Sequence, residues 1–149
     1  MAMTMNGEVQ LAAPRAVVWE KLNDAVVLKQ CIPGCEELDK TSETEFQAVA
    51  TIKIGPVKAR FKGRVQLSEI DPPNGYKISG EGEGGVAGFA KGGAVVKLTD
   101  RDGGTLLSYD VESQIGGKLA QLGQRLVQGT AKKLADDFFN KFAAAVAAG

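Results

Sequence analysis

The sequence predicts a single α+β domain over residues 1–149, in which a curved antiparallel sheet of six to seven strands wraps around a long C-terminal helix. Residues 46–115 alternate between apolar and polar side chains, which is the period of a half-buried strand. From residue 119 to 146, apolar residues recur at steps of three and four, the period of a helix buried on one side. An antiparallel sheet with one apolar face needs a cover, and this helix is the segment long and apolar enough to provide it. The predicted arrangement is a helix grip.

A strand and two short helices are expected to come first. Residues 5–13 alternate in the manner of a strand. Pro14 then stands near the first position of a helix, where its fixed φ is suitable and its missing N–H is not needed. Asn23 or Asp24 can cap a second short helix. Residues 32–34, Ile-Pro-Gly, end it, because the residue before proline avoids the helical region and glycine accepts a positive φ.

Turn residues divide the alternating region into strands. The predicted strands cover residues 46–54, 57–67, 76–84, 89–99 and 105–115, after a first one that begins near residue 36. The turns between them carry Gly-Pro, Asp-Pro-Pro-Asn-Gly and Asp-Gly-Gly, which favour tight reversals. Gly116 and Gly117 end the sheet, and one helix of roughly 30 residues, about 45 Å long, is expected to run to about Ala147.

Small residues dominate the predicted inner face of the sheet. They are Ala48, Ala50, Ala59, Gly63, Gly80, Gly82, Gly84, Ala90, Gly92 and Ala94. The first half of the helix adds Ala120, Gly123 and Gly129, whereas its second half carries Phe138, Phe139 and Phe142. Because interiors pack to near crystal density, such a face either lets the helix lie unusually close or leaves a cavity. The aromatic residues at one end favour the cavity, since they hold the other end of the helix away from the sheet.

An occupant of this cavity is expected to be apolar. We expect it to be lined by Phe61, Gly82, Phe89, Ala94, Tyr109, Leu119, Leu122, Gly123 and Leu126. Tyr109 is the one ionisable side chain predicted to point inward. A structural hydrogen bond is the leading interpretation of this residue, and contact with the ligand is the alternative.

The residue content does not favour catalysis or metal binding. Histidine, the commonest general base and transition-metal ligand, is absent. Cys31 and Cys35 lack further ligands for a zinc set and are interpreted as packing residues in a reducing compartment, with a bridge or redox pair as the alternative. The paired carboxylates lie on faces predicted to be solvated, where burial cannot tune them. The prediction is therefore a protein that is not an enzyme, with no catalytic residue, metal site or cofactor.

One strand carries a row of positive charges. The chain as a whole is balanced, with 18 basic and 18 acidic residues. On one face of the second long strand, however, four basic residues alternate: Lys58, Arg60, Lys62 and Arg64, here called the basic row. The row is either a solvated outer face, partly neutralised by Glu81 and Glu83 on the next strand, or a docking surface for an acidic protein or anionic lipid.

The N-terminal residues predict no secretory signal, and no stretch approaches the ~18 apolar residues of a membrane span. The sequence therefore predicts a cytoplasmic protein. Peripheral contact with the inner face of the cytoplasmic membrane is expected if the basic row binds lipid.

Several motifs carry a resemblance to a known family. They are Cys31-Ile32-Pro33-Gly34-Cys35, Ile54-Gly55-Pro56-Val57, Ala87-Gly88-Phe89-Ala90 and the stretch Gly116-Gly117-Lys118-Leu119-Ala120. With them, nearly the whole chain resembles the carbon monoxide dehydrogenase G-subunit (CoxG-like) family of the START/Bet v 1-like (SRPBCC) superfamily. The resemblance implies a helix-grip fold enclosing an apolar cavity. It also implies an accessory role beside molybdenum-containing hydroxylases such as aerobic carbon monoxide dehydrogenase.

The resemblance suggests what that role is, because such relatives are thought to carry a lipid or quinone for the enzyme or to bring it to the membrane. The sequence thus predicts a non-catalytic accessory protein of a molybdenum hydroxylase that binds a lipid or quinone, recruits the enzyme to the membrane, or both. The alternative is an enzyme of the polyketide cyclase or aromatase kind, which occurs elsewhere in the superfamily.

Overall fold

Seven strands form one antiparallel sheet in the computed structural model, which describes residues 1–148. The strands are β1 (Ala2–Leu11), β2 (Cys35–Ser42), β3 (Glu45–Ile54), β4 (Val57–Asp71), β5 (Gly75–Glu83), β6 (Phe89–Arg101) and β7 (Gly104–Gly116). Their order in space is β1-β7-β6-β5-β4-β3-β2, so β2 to β7 form a meander and β1 joins it beside β7. The predicted sheet is confirmed. The first strand begins and ends a few residues earlier than its alternation indicated.

Four α-helices accompany the sheet within residues 1–148. They are α1 (Arg15–Leu22), α2 (Ala25–Cys31), α3 (Lys118–Gln121) and α4 (Gln124–Ala147). Asp24 caps α2, because its Oδ1 accepts hydrogen bonds from the backbone N–H groups of Val26, at 2.9 Å, and Val27, at 3.4 Å. None of these helices combines the length and the apolar character that a membrane span needs.

The prediction of one continuous C-terminal helix was wrong in its first turns. Gly123 has φ +95°, a conformation that glycine adopts at little cost, and it separates the single turn α3 from the 24-residue α4. A second correction concerns Gly129, which lies on the exposed side of α4 and not on its inner face.

The core is divided into two clusters. The larger cluster joins α1, α2 and the C-terminal half of α4 to one end of the sheet. The smaller cluster consists of Met3, Ile115, Leu119 and Val127, with partly buried neighbours that include Phe61. Each of β4 to β7 contributes large side chains to the larger cluster, and β4, β6 and β7 reach the smaller one further along.

Between the clusters, the register brings small residues side by side. Gly63 of β4 lies opposite Gly82 of β5, and Gly82 lies opposite Ala90 of β6. One pair further along the strands, Gly80 of β5 lies opposite Gly92 of β6. The predicted small residues therefore form a continuous band across the middle of the inner face.

Candidate functional site

An open hollow of about 310 Å³ lies on the inner face of the sheet, over this band of small residues. Its lining includes Val65, Ile78, Gly82, Ala94, Val111 and Ser113. The apolar side chains among them are half-buried, although they point to the interior side of the sheet. The hollow therefore presents apolar atoms to whatever occupies it.

Glycines leave the backbone exposed over much of the floor of this hollow, and two of them differ in whether a side chain would fit. A Cβ atom at Gly82 would lie 3.7 Å from the Lys62 carbonyl oxygen and 3.9 Å from Gly63 Cα, which are ordinary contacts. Packing of the neighbouring strands therefore does not require glycine at position 82. At Gly92, by contrast, a Cβ atom would overlap the carbonyl oxygen of Glu112, so the close approach of the backbone excludes a side chain there.

Aromatic side chains fill the end of the interior beside the C-terminal half of α4. Phe138 stacks on Phe142 with ring centroids 5.6 Å apart, and it meets Phe139 edge-on at 5.0 Å. Phe142 is completely buried. Tyr109 of β7 stacks on Phe139 at 5.1 Å, so this tyrosine belongs to the aromatic end of the interior. As expected, the aromatic half of the helix is the closely packed half.

The structure brings some predicted lining residues together and leaves others apart. Gly82 and Ala94 both line the hollow. Phe61, Leu119 and Leu122 lie in or against the smaller cluster. Ala90 packs against that cluster and also lines the hollow, so these residues are near one end of it. Their role as ligand contacts stays a prediction.

Three other predicted lining residues lie nearer the surface. Phe89 alternates with Ala90 and so points to the outer side of the sheet, where it is 43% exposed with its ring against Gly116. Gly123 is exposed at the start of α4, and Leu126 is 38% exposed. The alternation of side chains along β6 could have shown that Phe89 points outward. The positions of Gly123 and Leu126 could not be read in this way, because they depend on the break between α3 and α4.

A second inward-pointing ionisable side chain, Tyr76, escaped the sequence analysis. It lies two residues before Ile78 on β5, is buried in the larger cluster, and contacts Trp19 with ring centroids 5.2 Å apart. Burial raises the pKa of its phenol well above the ordinary value. The alternation along β5 was the signal that could have identified it.

The two cysteines are free thiols, Cys31 at the last position of α2 and Cys35 at the first position of β2. Burial raises the pKa of both Cys31 and Cys35, so both are protonated at neutral pH. In residues 1–148, no three side chains of the His, Cys, Asp or Glu type are grouped so as to hold a metal ion.

Ion pairs neutralise half of the basic row. Arg60 Nε lies 3.3 Å from Glu36 Oε2. The pKa of the Glu36 carboxyl is lowered, first by the hydrogen bond that Thr51 donates to it and then by Arg60. Arg64 lies 3.5 Å from Glu81 and 3.9 Å from Glu45. The predicted neutralisation by the next strand is thus found for Arg64. Glu36 and Glu45 were not expected as partners, because they meet the row only through the pairing of β2, β3 and β4.

Comparisons with known proteins agree with this geometry. Residues 7–147 match the family model described as the G subunit of carbon monoxide dehydrogenase (CoxG). A conserved protein from Geobacillus kaustophilus has a solved structure that is 36% identical over 97% of this chain and 95% of its own, with a TM-score of 0.91. No match was found among curated proteins.

More distant solved structures share the fold. Ara h 8.0201 is 16% identical over 100% of both chains, with a TM-score of 0.70. The Zhui aromatase/cyclase from Streptomyces sp. R1128 is 13% identical over 98% of this chain and 94% of its own, with a TM-score of 0.72. At such identities the likeness concerns the fold alone. It confirms the predicted Bet v 1-like helix grip.

Proposed function

Because the chain belongs to the CoxG family of carbon monoxide dehydrogenase subunits, we propose that it is a non-catalytic accessory protein of a molybdenum hydroxylase and holds an apolar molecule, a lipid or a quinone, for that enzyme. The observation that carries this proposal is the hollow over the small-residue band, which separates two well-packed clusters. The apolar side chains that line it stay half-exposed in the empty protein, so an apolar occupant would remove them from water.

The size and lining of the hollow support an apolar occupant. A volume of about 310 Å³ lies at the lower end of the range for small-molecule pockets, roughly 300–1,000 Å³. One side is open, so a longer ligand can extend beyond the floor. Contact with the ligand would bury the half-exposed side chains of Val65, Ile78 and Val111. Each methylene group removed from water contributes about 0.8 kcal/mol.

Native mass spectrometry of the freshly purified protein tests the proposal. We expect an additional mass that matches a lipid or quinone and that is lost after solvent extraction. The extracted protein should then bind a fluorescent fatty-acid analogue. Absence of both the additional mass and probe binding would overturn the proposal.

We assign the basic row to contact with the partner enzyme. Lys58 and Lys62 make no ion pair within 4 Å among the described residues, so they offer free charge on the outer side of the sheet. That side is opposite the hollow, so an enzyme bound there would not compete with the ligand. Glu81 and Glu83 beside the row favour a partner surface of mixed charge over one that is uniformly acidic.

The second candidate function is catalysis of the polyketide cyclase or aromatase kind, which the structural likeness to an aromatase/cyclase favours. Of the two interior phenols, Tyr76 has a raised pKa and a closed environment, which leaves Tyr109 as the proton donor such an enzyme would use. Tyr109→Phe distinguishes the functions. If the wild type turns over a polyketide substrate and Tyr109→Phe does not, the enzyme is supported. If the wild type shows no turnover and Tyr109→Phe binds the fatty-acid analogue as the wild type does, the carrier is supported.

A further inference from the structure

The strand β1 forms one edge of the sheet and is less protected than the strand at the opposite edge. That opposite strand, β2, carries four charged residues, and its register with β3 shifts at two places. Charges and bulges of this kind keep an edge from pairing with another chain. By contrast, β1 has one charged residue, Glu8, and it pairs with β7 over ten residues without a shift. A further strand can therefore be added to this regular edge.

The hydrogen bonds of β1 show which of its backbone groups remain free. Met1 and Ile115 exchange two backbone bonds, at 2.7 and 2.8 Å, so they are a hydrogen-bonded pair. Because such pairs alternate along antiparallel strands, the odd-numbered residues of β1 bond to β7 and the even-numbered ones direct their N–H and C=O groups to the open side. The Thr4 carbonyl agrees with this direction, since it accepts a hydrogen bond from Gln128 of α4 at 3.2 Å. The free backbone groups are those of Asn6, Glu8 and Gln10.

A groove of about 680 Å³, here called the edge groove, separates β1 from α4. It follows six consecutive residues of β1, Met5 to Gln10, over about 17 Å at ~3.4 Å per residue. Phe139, Asn140 and Ala143 of α4 form the facing wall. The length of the groove and its mixed polar and apolar lining suit an extended peptide.

A glycine opens the middle of this groove to a phenol from the neighbouring strand. A Cβ atom at Gly7 would lie 2.5 Å from the Tyr109 hydroxyl oxygen, so the tyrosine crosses β1 where that strand has no side chain. Its hydroxyl reaches the edge groove, where Lys132 and Asp136 neutralise each other in an ion pair at 2.9 Å. The groove thus holds a phenol that can hydrogen-bond to the occupant.

The two faces of an added strand would meet different surroundings. Its residues opposite Gly7 and Val9 would face inward, toward Phe139 and Ala143, where apolar side chains fit. Its residues opposite the even-numbered positions would face outward, beside three acids that make no ion pair within 4 Å among residues 1–148. Basic side chains complement these positions. The three acids are Glu8, Asp110 and Glu112.

We propose that the edge groove binds an extended peptide segment of a partner protein, in which apolar and basic residues alternate, and that this segment adds to β1 as an eighth, antiparallel strand. In strand addition, main-chain hydrogen bonds give affinity and alternate side chains give specificity. A second copy of this chain fits less well, because pairing of β1 with β1 would bring the three acids of each copy together. The site is separate from the carrier function, since no described residue lines both the edge groove and the hollow. It is also separate from the basic row, which lies on β4 with three strands in between.

Fluorescence anisotropy with a labelled synthetic peptide tests the proposal. The probe has eight residues, in which valine and lysine alternate, and blocked termini; it should bind the wild type saturably. In antiparallel pairing the lysines lie opposite Asn6, Glu8 and Gln10 and direct their N–H groups to β1. N-methylation of the lysine backbone should therefore abolish binding, whereas N-methylation of the valine backbone should leave it intact.

Two substitutions on β1 test the edge itself. Glu8→Lys should weaken probe binding about fivefold or more, because it replaces attraction to lysine with repulsion. Asp39→Lys makes the same change on β2 and should bind as the wild type does. Asn6→Pro should weaken binding about tenfold, since proline removes a free N–H of the edge without removing a bond to β7.

A pair of substitutions on α4 tests the wall of the edge groove. Ala143→Phe fills the space for an inward side chain and should weaken probe binding at least about fivefold. Ala144→Phe adds the same ring at the next position, which is exposed and outside the groove, and should have no effect. Circular dichroism checks that each variant is folded. Glu8→Lys changes an exposed side chain, so its result stands even if Ala143→Phe lowers stability.

Several results would overturn the proposal. They are no saturable binding of the probe by the wild type, equal binding of the two N-methylated probes, and equal losses in the groove variants and their controls. A wild-type dimer in analytical ultracentrifugation that Asn6→Pro converts to a monomer would also overturn it, because a second copy would then occupy the edge.

Discussion

Filling the hollow at Gly82 is the most direct test of what occupies the inner face. In Gly82→Val, the new Cβ would lie no closer than 3.7 Å to the neighbouring strand, and the backbone at this position does not have the positive φ that requires glycine. The two methyl groups would then extend into the hollow, over the floor formed by β4 and β5.

The expected stability change is small and the expected affinity change is large. Extra methyl groups in a filled core cost about 1–3 kcal/mol, whereas a β-branched residue replacing glycine in a strand gains up to ~1 kcal/mol. Because the hollow is open, we expect the free energy of unfolding to stay within about 1 kcal/mol of the wild type. A ligand that loses the burial of two methylene groups loses roughly 1.6 kcal/mol, more than tenfold in Kd.

Gly92→Val is the matched control on the same floor. There the new Cβ would overlap the Glu112 carbonyl oxygen, so the free energy of unfolding should fall by at least ~2 kcal/mol. Urea titration followed by circular dichroism measures both variants, and titration with the fluorescent fatty-acid analogue measures affinity. A loss of more than ~2 kcal/mol in Gly82→Val would show that the space is closed in solution. Unchanged probe affinity would place the ligand elsewhere.

Three further predictions concern the core, the buried phenol and the basic row. Phe142→Ala should lower the free energy of unfolding by about 3–5 kcal/mol in urea, whereas Phe89→Ala should cost below ~1 kcal/mol; equal losses would contradict the assigned core. Because burial raises the pKa of Tyr76, the unfolded chain releases this proton first, near pH 10, and stability falls as the pH rises further. In thermal melts above pH 10, Tyr76→Phe should therefore lose stability less steeply than the wild type, and parallel curves would refute the assignment. Reversal of the whole basic row to Glu should abolish binding to the partner hydroxylase at roughly 50 mM salt. Wild-type binding should weaken at about 500 mM salt, because salt screens the charges of the row. Unchanged binding would leave the row a solvated face. The reversed residues are Lys58, Arg60, Lys62 and Arg64.

The strands and their inner faces could be predicted because alternation determines which side each residue takes. Gly82 and Ala94 were assigned to the inner face for this reason, where they line the hollow. The same rule would have placed Tyr76 inward and Phe89 outward. Hairpin-length turns also explain why β2 to β7 pair in chain order, whereas the position of β1 beside β7 joins the two ends of the chain and does not follow from any turn.

Features that depend on local backbone geometry or on contacts between distant strands could not be predicted in this way. Gly123 lies in an otherwise helical pattern, and its positive φ is a property of the folded chain. The pairing of Arg60 with Glu36 depends on β2 and β4 flanking β3, and alternation within one strand says nothing about it. The helix break in turn decided whether Leu126 pointed to the hollow or to the surface.

The division of the core also determines how the chain can open. Hydrogen bonds between strands run through both clusters, but side-chain contact between the clusters is interrupted at the glycines of the inner face. We therefore expect the smaller cluster, with α3 and the first turns of α4, to open locally while Phe142 and Val146 stay in place. A bulky molecule could then enter at the free-energy cost of a sub-global fluctuation, while global stability is maintained by the opposite end of the molecule.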